Sequence, residues 1–503
     1  MMANTGLLVL TNPTKVMKLL PMIKKHVLKT LYIQYFPEKN IFLSGNQMIT
    51  NPQWRISRYA QIVTDIYINT STIFSPLDVR VLLTTCSKRE ADTFIQDYLA
   101  NTSMGCSFIN FTDDLKSGKS DSITSCVNEE KTYKNVVLGG TFDRIHNGHK
   151  IFLSEAALRC TEKLTVGVTD TNMLSAKLLW ELIEPCSIRI LNLKDFLEDI
   201  DPTITYEVMA INDMYGPTKC DSTFEMIVVS EETKRGGDKV NEMRERNNLN
   251  KLDIHVVKLI NDENHKKHEE SKVSSSNQRI RLLGTKLKAP QIGNKPLKPY
   301  IIGLTGGIAS GKSSVAEKLQ KLGAALVNCD KIAHDLYLPG KKCFDTIVEN
   351  FGPTILKPDG SIDRRALGNI VFNDQTQLSK LNKIVWPIIL EEAKKQIYDF
   401  NTKGFDVIVM EAAVLIQAKW QHECHEIWTC IIPQEEAIQR IVERNGLTEA
   451  DAKVRIQAQP SNVEQIKEAN VVICSLWSHD ITEEQVQRAW NESMTFLTNQ
   501  AKS

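Results

Sequence analysis

The feature that most limits the fold is an apolar strand, a glycine loop and a helix in direct succession at residues 300–318, YIIGLTGGIASGKSSVAEK. Gly306 is followed after four residues by Gly311, Lys312 and Ser313, which is the Walker A spacing. Backbone N–H groups of such a loop cradle phosphates, the lysine neutralises the β and γ oxygens, and the serine hydroxyl completes a Mg²⁺ shell. The sequence therefore predicts an α/β domain that binds a nucleoside triphosphate, without identifying the acceptor.

The predicted phosphate site consists of the loop and the start of its helix. Lys312 is its catalytic residue and Ser313 its Mg²⁺ ligand. The binding residues are Gly306, Gly307, Ile308, Ala309, Ser310, Gly311, Ser313 and Ser314.

A second strand-to-helix turn lies at residues 136–150, VVLGGTFDRIHNGHK. Its apolar start predicts a buried parallel strand that breaks at two glycines, after which a helix begins. His146 and His149 are three residues apart and can point at one anion from the first helical turn. This arrangement suits nucleotidyl transfer, in which the α-phosphate of ATP is attacked, pyrophosphate leaves and charge stabilisation carries the catalysis. The alternative is a helix start that happens to hold two histidines. The remaining candidate binding residues here are Gly139, Gly140, Thr141, Phe142, Asp143 and Gly148.

Length, charge and cysteines limit the class of protein. A chain of 503 residues is too long for one core and predicts two to four domains. Lysine plus arginine equals aspartate plus glutamate, 61 each, which argues against a general nucleic-acid binder. The 11 cysteines include no CxxC pair, so we expect reduced thiols of an intracellular protein. No apolar run approaches the length of a membrane span.

Residues 1–128 alternate strand-like runs at 7–10, 31–36 and 79–85 with a helical pattern at 15–30, which predicts a small α/β domain. No acidic residue precedes Glu38, whereas five lysines do. A mitochondrial address, a membrane-surface helix and the basic face of an ordinary domain remain alternatives, although arginine is absent and the first strand starts early. Residues 112–131 and 284–299 have the composition of linkers.

The run GGTFDRIHNGHK resembles the TFDxxHxGH signature of the nucleotidyltransferase superfamily, specifically the phosphopantetheine adenylyltransferases of eukaryotic bifunctional coenzyme A synthases. The resemblance implies that Lys177, just past the second strand, binds phosphate and assists catalysis; spacing alone allows a solvated lysine equally well. Arg189 on the next helix would contact the pantetheine phosphate or face solvent. Residues 273–284, VSSSNQRIRLLG, resemble the family's SSSxxR motif, which implies ATP contacts by Ser274, Ser275, Ser276 and Arg279. The alternative for the serines is a helix N-cap.

The run AALVNCDKIAHDLY, with DGSIDRRALGNIVFND, LNKIVWPII and VIVMEAAVLIQ, resembles dephospho-coenzyme A kinases. Asp330 follows a strand at the carboxyl edge of the sheet, where it can deprotonate an acceptor hydroxyl; its alternative is a helix N-cap. The resemblance places Arg364 or Arg365 near the acceptor. It also places a lid over residues 434–460, with ATP contacts from Arg440, Arg444 and Arg455; the alternative is an amphipathic helix with solvated charges.

Two features fit this resemblance less well. Trp386 precedes a proline where related kinases often have histidine, which puts that residue's acceptor contact in doubt. The group His422, Cys424 and His425 invites a zinc interpretation, which we reject because no second ligand pair lies at the required spacing.

These observations predict a multidomain α/β chain: an N-terminal α/β domain (1–128), a Rossmann-like nucleotidyltransferase domain (129–290) and a P-loop kinase domain (291–503). The resemblance implies the last two steps of coenzyme A synthesis, with ATP and Mg²⁺ as cofactors and 4′-phosphopantetheine and dephospho-coenzyme A as substrates. We expect a cytoplasmic, mitochondrion-associated monomer without nucleic-acid partners, in which residues 1–128 contact a membrane or a signalling protein. The alternatives are another nucleotidyltransferase fused to a nucleoside kinase, and a non-catalytic nucleotide-binding scaffold.

Overall fold

The computed structural model describes residues 3–10, 13–35, 56–71, 77–83, 110–111, 131–293, 295–372 and 374–500. The chain divides into two compact units, Met1–Gln278 and Arg279–Ser503, called the first and second unit below. The described parts of both units are built from parallel sheets with helices, which confirms the predicted α/β class.

The first unit contains two parallel sheets. The amino-terminal sheet has the order β3-β2-β1-β4, from strands β1 (Ala3–Leu10), β2 (Val27–Tyr35), β3 (Asp78–Leu82) and β4 (Asn110–Phe111). The second sheet has the order β7-β6-β5-β8-β9, from β5 (Tyr133–Gly140), β6 (Cys160–Thr169), β7 (Thr205–Ile211), β8 (Met226–Ser230) and β9 (Asp253–Val257).

The order of the second sheet reverses at β5, since β6 pairs with one edge of it and β8 with the other. Loops after the carboxyl ends of strands open into a crevice at such a switch point, which is where ligands bind in parallel sheets. The loop that follows Gly140 therefore lies where the candidate nucleotidyltransferase motif requires it.

One apolar core joins the two sheets and includes Leu8 and Ile33 of the first sheet and Leu138 and Val166 of the second, while a separate cluster under one helix includes Val240. Within the described residues, six helices pack around the sheets of the first unit. They are α1 (Val16–Ile23), α2 (Ile56–Ser71), α3 (Asn147–Ala157), α4 (Cys186–Ile200), α5 (Lys234–Arg246) and α6 (Ser275–Leu282), which continues into the second unit. Short 3₁₀ segments lie at Pro13–Lys15, Thr171–Met173, Trp180–Leu182, Gly216–Lys219 and Glu231–Thr233.

The second unit has one parallel sheet of order β11-β12-β10-β13-β14. Its strands are β10 (Tyr300–Gly306), β11 (Ala325–Asn328), β12 (Val407–Glu411), β13 (Glu426–Ile431) and β14 (Val471–Cys474). All residues of β12, β13 and β14 are buried. Separate apolar clusters receive alternate residues of β12, with Ile408 and Met410 in one and Val407 and Val409 in the other. Burial on both faces explains the apolar runs VIVM in β12 and VVIC in β14.

Helices cover this sheet and place its loops. They are α7 (Lys312–Lys321), α8 (Cys329–Leu336), α9 (Phe344–Phe351), α10 (Arg364–Phe372), α11 (Gln375–Thr402), α12 (Gln434–Asn445), α13 (Glu449–Gln457), α14 (Asn462–Glu468) and α15 (His479–Gln500). Further 3₁₀ segments lie at Pro353–Ile355 and Trp420–Glu423. None of the helices in the described parts of the chain combines the length and apolarity needed to cross a membrane.

The amino-terminal prediction was partly wrong. The helix predicted over residues 15–30 ends at Ile23, and residues 27–30 belong to β2. Parallel pairing of β2 with β1 determines the conformation of this segment, which overrides its helical spacing. The predicted strand at 7–10 lies within β1, and the predicted strand at 31–36 overlaps β2. Strand β3 overlaps the third predicted strand, at 79–85. The predicted linker 112–131 falls outside the described residues except for Lys131, and the domain boundaries near 128 and 290 stay predictions.

Candidate active sites

The loop between β5 and α3 forms the first candidate site. His146 is the N-cap of α3, and its Nδ1 accepts a hydrogen bond from the backbone N–H of His149 at 3.3 Å. The two imidazole rings are stacked with centroids 3.8 Å apart. The structure thus brings both histidines together, with His146 just before the helix and His149 on its first turn.

Two glycines, one before this histidine pair and one within it, leave little room for a side chain. A Cβ added at Gly148 would lie 3.1 Å from the His146 ring, and one added at Gly140 would lie 3.0 Å from the ring of Phe142. Phe142 has a φ of 50°, an uncommon conformation for a residue with a side chain, and it is nearly fully buried. Its ring contacts that of His149 at a centroid distance of 5.3 Å. The glycines therefore allow the aromatic packing that holds His149.

The environment of His149 keeps its imidazole neutral. Burial lowers the pKa of His149, and the positive charge of Lys177 lowers it further, to about 3. Its Nδ1 is buried and makes no hydrogen bond within the described residues. A neutral imidazole donates one N–H and carries no charge, so at neutral pH the cationic group near this histidine is Lys177. Lys177 itself is exposed in the turn after β6, where the sequence placed it.

Two buried side chains, those of Arg189 and Asp143, form hydrogen bonds around the same loop. Arg189 is 1% exposed and donates to the carbonyl oxygens of Thr141 at 2.6 Å and Glu184 at 2.8 Å. The alternative that Arg189 faces solvent is therefore wrong, and its contact with a substrate phosphate stays a prediction. Asp143 is fully buried and accepts from the Glu184 backbone N–H at 3.0 Å. Sequence reasoning treated these two residues as ligand contacts because burial cannot be read from the motif.

The serine turn reaches the same loop. Ser275 donates from its hydroxyl to the Asp143 carbonyl at 2.8 Å and lies 3.5 Å from Nε2 of His146. Ser274 is buried, and its hydroxyl accepts from the Asn277 N–H at 3.2 Å, so the capping alternative describes this serine. Arg279 lies on α6 and is 1% exposed. Ser276 is half-buried, and ATP contacts by these four residues stay predictions.

The phosphate loop between β10 and α7 forms the second candidate site. Gly306, Ala309 and Gly311 have φ angles of 156°, 62° and 83°. A Cβ on Gly306 would lie 2.6 Å from the Cys430 carbonyl oxygen. This backbone encloses a cavity of about 760 Å³, lined by Gly306, Gly307, Ile308, Ala309, Ser310, Gly311, Lys312, Ser313, Ser314, Asp330, Ala413, Arg440, Glu443, Arg444 and Gln459. The predicted loop residues thus line one concave site.

Two carboxylates hold the loop lysine. Lys312 Nζ lies 2.9 Å from Asp330 Oδ2 and 3.1 Å from Glu411 Oε1. Although burial opposes it, Asp330 and Glu411 raise the pKa of Lys312. Asn328 is the N-cap of α8 and Asp330 stands on the first turn, which excludes the alternative that Asp330 is the cap. The Asp330 side chain is half exposed, as an acceptor base must be.

Glu411 was missed by sequence reasoning. It is 1% exposed, and its carboxylate also accepts from the Ser313 hydroxyl at 3.1 Å and from Asn328 Nδ2 at 2.8 Å. The sequence contains one indication of its role. Glu411 is the last residue of the buried strand VIVME, and ligands bind at the edge of a parallel sheet where the carboxyl ends of the strands meet.

The arginines of the proposed lid differ in placement. Arg440 donates to the Ala309 carbonyl at 3.3 Å and to Ser475 through its hydroxyl at 2.9 Å and its carbonyl at 2.7 Å, so it braces the loop. Arg444 lines the cavity, whereas Arg455 is exposed and is not among the lining residues. Gln459, which the sequence did not single out, accepts from the Ile308 N–H at 2.7 Å.

The remaining candidates lie away from the cavity lining. Trp386 is half-buried on α11 and packs against the core. Arg364 and Arg365 are exposed at the start of α10, and Arg364 stacks over the Tyr337 ring at 5.4 Å.

The rejected zinc cluster is a structural feature of the second unit. His425 is bound to the Ile301 N–H and the Pro296 carbonyl, at 2.9 and 3.1 Å. Within the described ranges no group of three metal-ligating side chains is found.

The fold and the two sites define a tandem nucleotide-dependent transferase, with a nucleotidyltransferase-like site ahead of a P-loop kinase site. Residues 137–282 match the cytidylyltransferase-like family, and residues 300–476 match the dephospho-CoA kinase family. The chain belongs to the dephospho-CoA kinase family. The two matches, one over each site, confirm the resemblance to bifunctional coenzyme A synthases.

The curated relatives align with the region of the dephospho-CoA kinase match. The dephospho-CoA kinase of Carboxydothermus hydrogenoformans is 43% identical over 186 residues, which is 37% of this chain and 90% of that protein. The dephospho-CoA kinase of Symbiobacterium thermophilum is 40% identical over 190 residues, which is 38% of this chain and 80% of that protein. A solved dephospho-CoA kinase from Campylobacter jejuni is 25% identical, with 39% of this chain and 98% of that chain covered and a TM-score of 0.28.

Proposed function

We propose that this chain catalyses the last two steps of coenzyme A biosynthesis, adenylyl transfer to 4′-phosphopantetheine and phosphorylation of the resulting dephospho-coenzyme A. The observation that carries the proposal is that each family match covers one phosphate-binding site with its own set of side chains. The rival scaffold, without catalysis, gives no reason for a stacked histidine pair with a neutral His149 near Lys177, or for the carboxylates around Lys312.

In the first step a phosphate oxygen of 4′-phosphopantetheine attacks the α-phosphorus of ATP. The bond to the β-phosphate oxygen breaks, pyrophosphate leaves, and dephospho-coenzyme A forms. A phosphate nucleophile is already anionic, so no base is needed and the protein has to stabilise the negative charge of the transition state. The neutral imidazole of His149 donates a hydrogen bond, while Lys177 supplies a positive charge. The N–H groups at the start of α3 add to this stabilisation.

In the second step the ribose 3′-hydroxyl of dephospho-coenzyme A attacks the γ-phosphorus of a second ATP. Asp330 accepts the hydroxyl proton, the bond to the β-phosphate oxygen breaks, and ADP and coenzyme A are the products. Lys312 lies 2.9 Å from Asp330 and neutralises the phosphate oxygens. Its ammonium group lies beside the carboxylate that accepts the proton, so both groups face the same loop.

Mg²⁺ is part of the proposal for the second step. Ser313 Oγ and Glu411 Oε1 lie 3.1 Å apart at the loop, and hydroxyl and carboxylate oxygens are the ligands that Mg²⁺ prefers. These two residues would hold the ion, which would neutralise part of the phosphate charge when bound.

An endpoint assay tests both steps. Purified full-length protein is given ATP, Mg²⁺ and 4′-phosphopantetheine, and pyrophosphate, dephospho-coenzyme A, ADP and coenzyme A are followed by chromatography. We expect pyrophosphate first and coenzyme A as the final product, with no turnover of nicotinamide mononucleotide. Turnover of the mononucleotide alone would favour another fused nucleotidyltransferase, and ATP binding without any product would favour the scaffold.

A further inference from the structure

The helix that carries His149 is attached to helix α2 and to strand β3 of the amino-terminal sheet. Asn147, on the first turn of α3, donates from Nδ2 to the Tyr67 carbonyl at 2.9 Å and the Thr70 hydroxyl at 3.2 Å, both on α2. Lys150, directly after His149, pairs through Nζ with Asp78 and donates to the Val79 carbonyl at 2.7 Å, both on β3. Helix α3 is therefore bound at two positions, three residues apart, to residues that precede the nucleotidyltransferase domain.

Lys150 is an unusual residue for the inner face of a helix. It is 5% exposed, and the rings of Tyr67 and Phe196 each lie 6.0 Å from its ammonium group. An ammonium group that is removed from water needs an anionic partner and further acceptors, because desolvation is otherwise unfavourable. Asp78 and the Val79 carbonyl supply these, and both come from the amino-terminal sheet.

Asp78 is suited to this task by its own surroundings. Burial raises its pKa, but the positive charges of Lys150 and Arg80 outweigh burial and hold the pKa of Asp78 below its ordinary value. Asp78 is therefore ionised at neutral pH. Burial lowers the pKa of Lys150, and Asp78 opposes that change.

Strand β3 in turn contacts helix α4, which lies between strands β6 and β7 in the chain. Arg80 bonds to Asp78 at 2.8 Å and also pairs with Asp195 and Asp199 on α4. The backbone continues the attachment, because the N–H of Leu83 donates to the Ile200 carbonyl at 2.8 Å. The carboxylate that faces Lys150 is thus held on one side by the catalytic helix and on the other by α4.

We propose that Asp78 and Lys150 are positioning residues of the adenylyl-transfer site, through which the amino-terminal sheet fixes the catalytic helix and the place of His149. This inference rests on the adenylyl transfer proposed above. It gives helix α2 and strand β3 an indirect role in that reaction, since a displacement of about 1 Å of a catalytic group can cost about a hundredfold in rate. The residues act through His149 and do not contact substrate.

A pair of variants tests the coupling. Asp78→Ala leaves the buried ammonium group of Lys150 without its carboxylate and beside Arg80, and we expect kcat for pyrophosphate release to fall at least tenfold, with little change in the KM for ATP. The double variant Asp78→Ala with Lys150→Met removes both charges and keeps the volume of the long side chain. We expect it to regain most of the lost kcat, because a buried ion pair can be replaced by apolar groups without harm.

Two controls separate positioning from a general loss of structure. Asp253 forms an exposed ion pair with Lys131 in the same unit, and Asp253→Ala should change neither activity, since exposed pairs contribute little. Phosphorylation of supplied dephospho-coenzyme A, measured on the same protein samples, should stay within twofold of wild type in every variant.

Hydrogen exchange of the backbone amides of Asn147–Ala157 gives a readout that does not depend on the substrate. We expect at least tenfold faster exchange in Asp78→Ala and recovery in the double variant. The inference is overturned if Asp78→Ala keeps kcat within twofold and exchanges like wild type, or if the double variant is as impaired as the single one. Wild-type protein that releases no pyrophosphate would instead end the proposed function, and the exchange comparison would still decide the positioning role.

Discussion

Glu411→Gln tests the chemistry of the kinase site most sharply. The substitution keeps the shape of the side chain and removes one negative charge that lies 3.1 Å from Lys312 Nζ. Because a glutamine offers one oxygen, it can serve either the Ser313 hydroxyl or Asn328 Nδ2, but not both as Glu411 does. The change therefore disturbs the charge at the loop without opening a cavity.

The size of the effect follows from the geometry. Two unit charges 3.1 Å apart attract with about 5 kcal/mol at an effective dielectric constant of about 20. Asp330 remains 2.9 Å from the same ammonium group and compensates part of this loss. About half, or 2.7 kcal/mol, corresponds to roughly a hundredfold decrease in kcat/KM for phosphoryl transfer.

Coupled detection of ADP with dephospho-coenzyme A and ATP measures this decrease, and the adenylyl-transfer activity of the same sample serves as an internal reference. Glu483→Gln is the matched control, because Glu483 pairs with Lys318 at 3.0 Å but its side chain is 67% exposed. That variant should stay within twofold of wild type, as expected for an exposed pair. If Glu411→Gln kept more than a third of the wild-type kcat/KM, the reasoning from charge at the loop would be refuted.

Three further predictions concern other parts of the chain. His149→Ala should abolish pyrophosphate release and leave phosphorylation of supplied dephospho-coenzyme A intact, while Lys312→Ala should do the reverse; loss of both activities in either variant would contradict independent chemistry. The pKa of His149, lowered to about 3, means that its neutral form persists as pH falls below the ordinary value of 6.5. The pH profile of adenylyl-transfer kcat/KM should therefore show no decline from this histidine between pH 8 and 5, and a limb near 6.5 assigned to it by NMR titration would disprove this. Gly284→Ala should destabilise the second unit by about 1–3 kcal/mol more than Gly404→Ala in chemical denaturation, because overpacking is costly. Both glycines have positive φ, but only at Gly284 would the added Cβ meet a backbone oxygen, that of Gln485 at 2.3 Å; equal losses would show that the clash is relieved.

The local parts of both sites could be predicted from the sequence, because a strand, a loop and a helix within about 20 residues carry their own signals. Gly306 and Lys312 lie where the spacing placed them. Glu411 is 99 residues from Lys312 along the chain and reaches it only because β12 pairs with β10, with Glu411 opposite Leu304. Strand order is a property of the whole sheet, so the local pattern places Glu411 at the end of a strand but does not show that this strand lies beside β10.

Burial was the other quantity that the sequence did not reveal. Arg189 and Lys150 look like exposed cations in the printed chain, yet both are almost fully buried and bound to backbone or carboxylate oxygens. The partner of Lys150 lies 72 residues earlier, in a segment that showed no catalytic pattern. The role of the amino-terminal residues could therefore be argued only once the contact between β3 and α3 was known.

The two sites carry opposite arrangements of charge, and the difference follows from their nucleophiles. A phosphate that attacks another phosphate is repelled by any nearby carboxylate, and the aspartate of the first motif, Asp143, is fully buried and bonded to the Glu184 backbone N–H. A hydroxyl, by contrast, has to lose its proton, so a carboxylate at the second site assists the reaction. Asp330 is half exposed there and lies 2.9 Å from Lys312. The carboxylate of the first motif is thus bound to backbone within the loop, whereas that of the second is open to an acceptor hydroxyl, which matches the difference between the two nucleophiles.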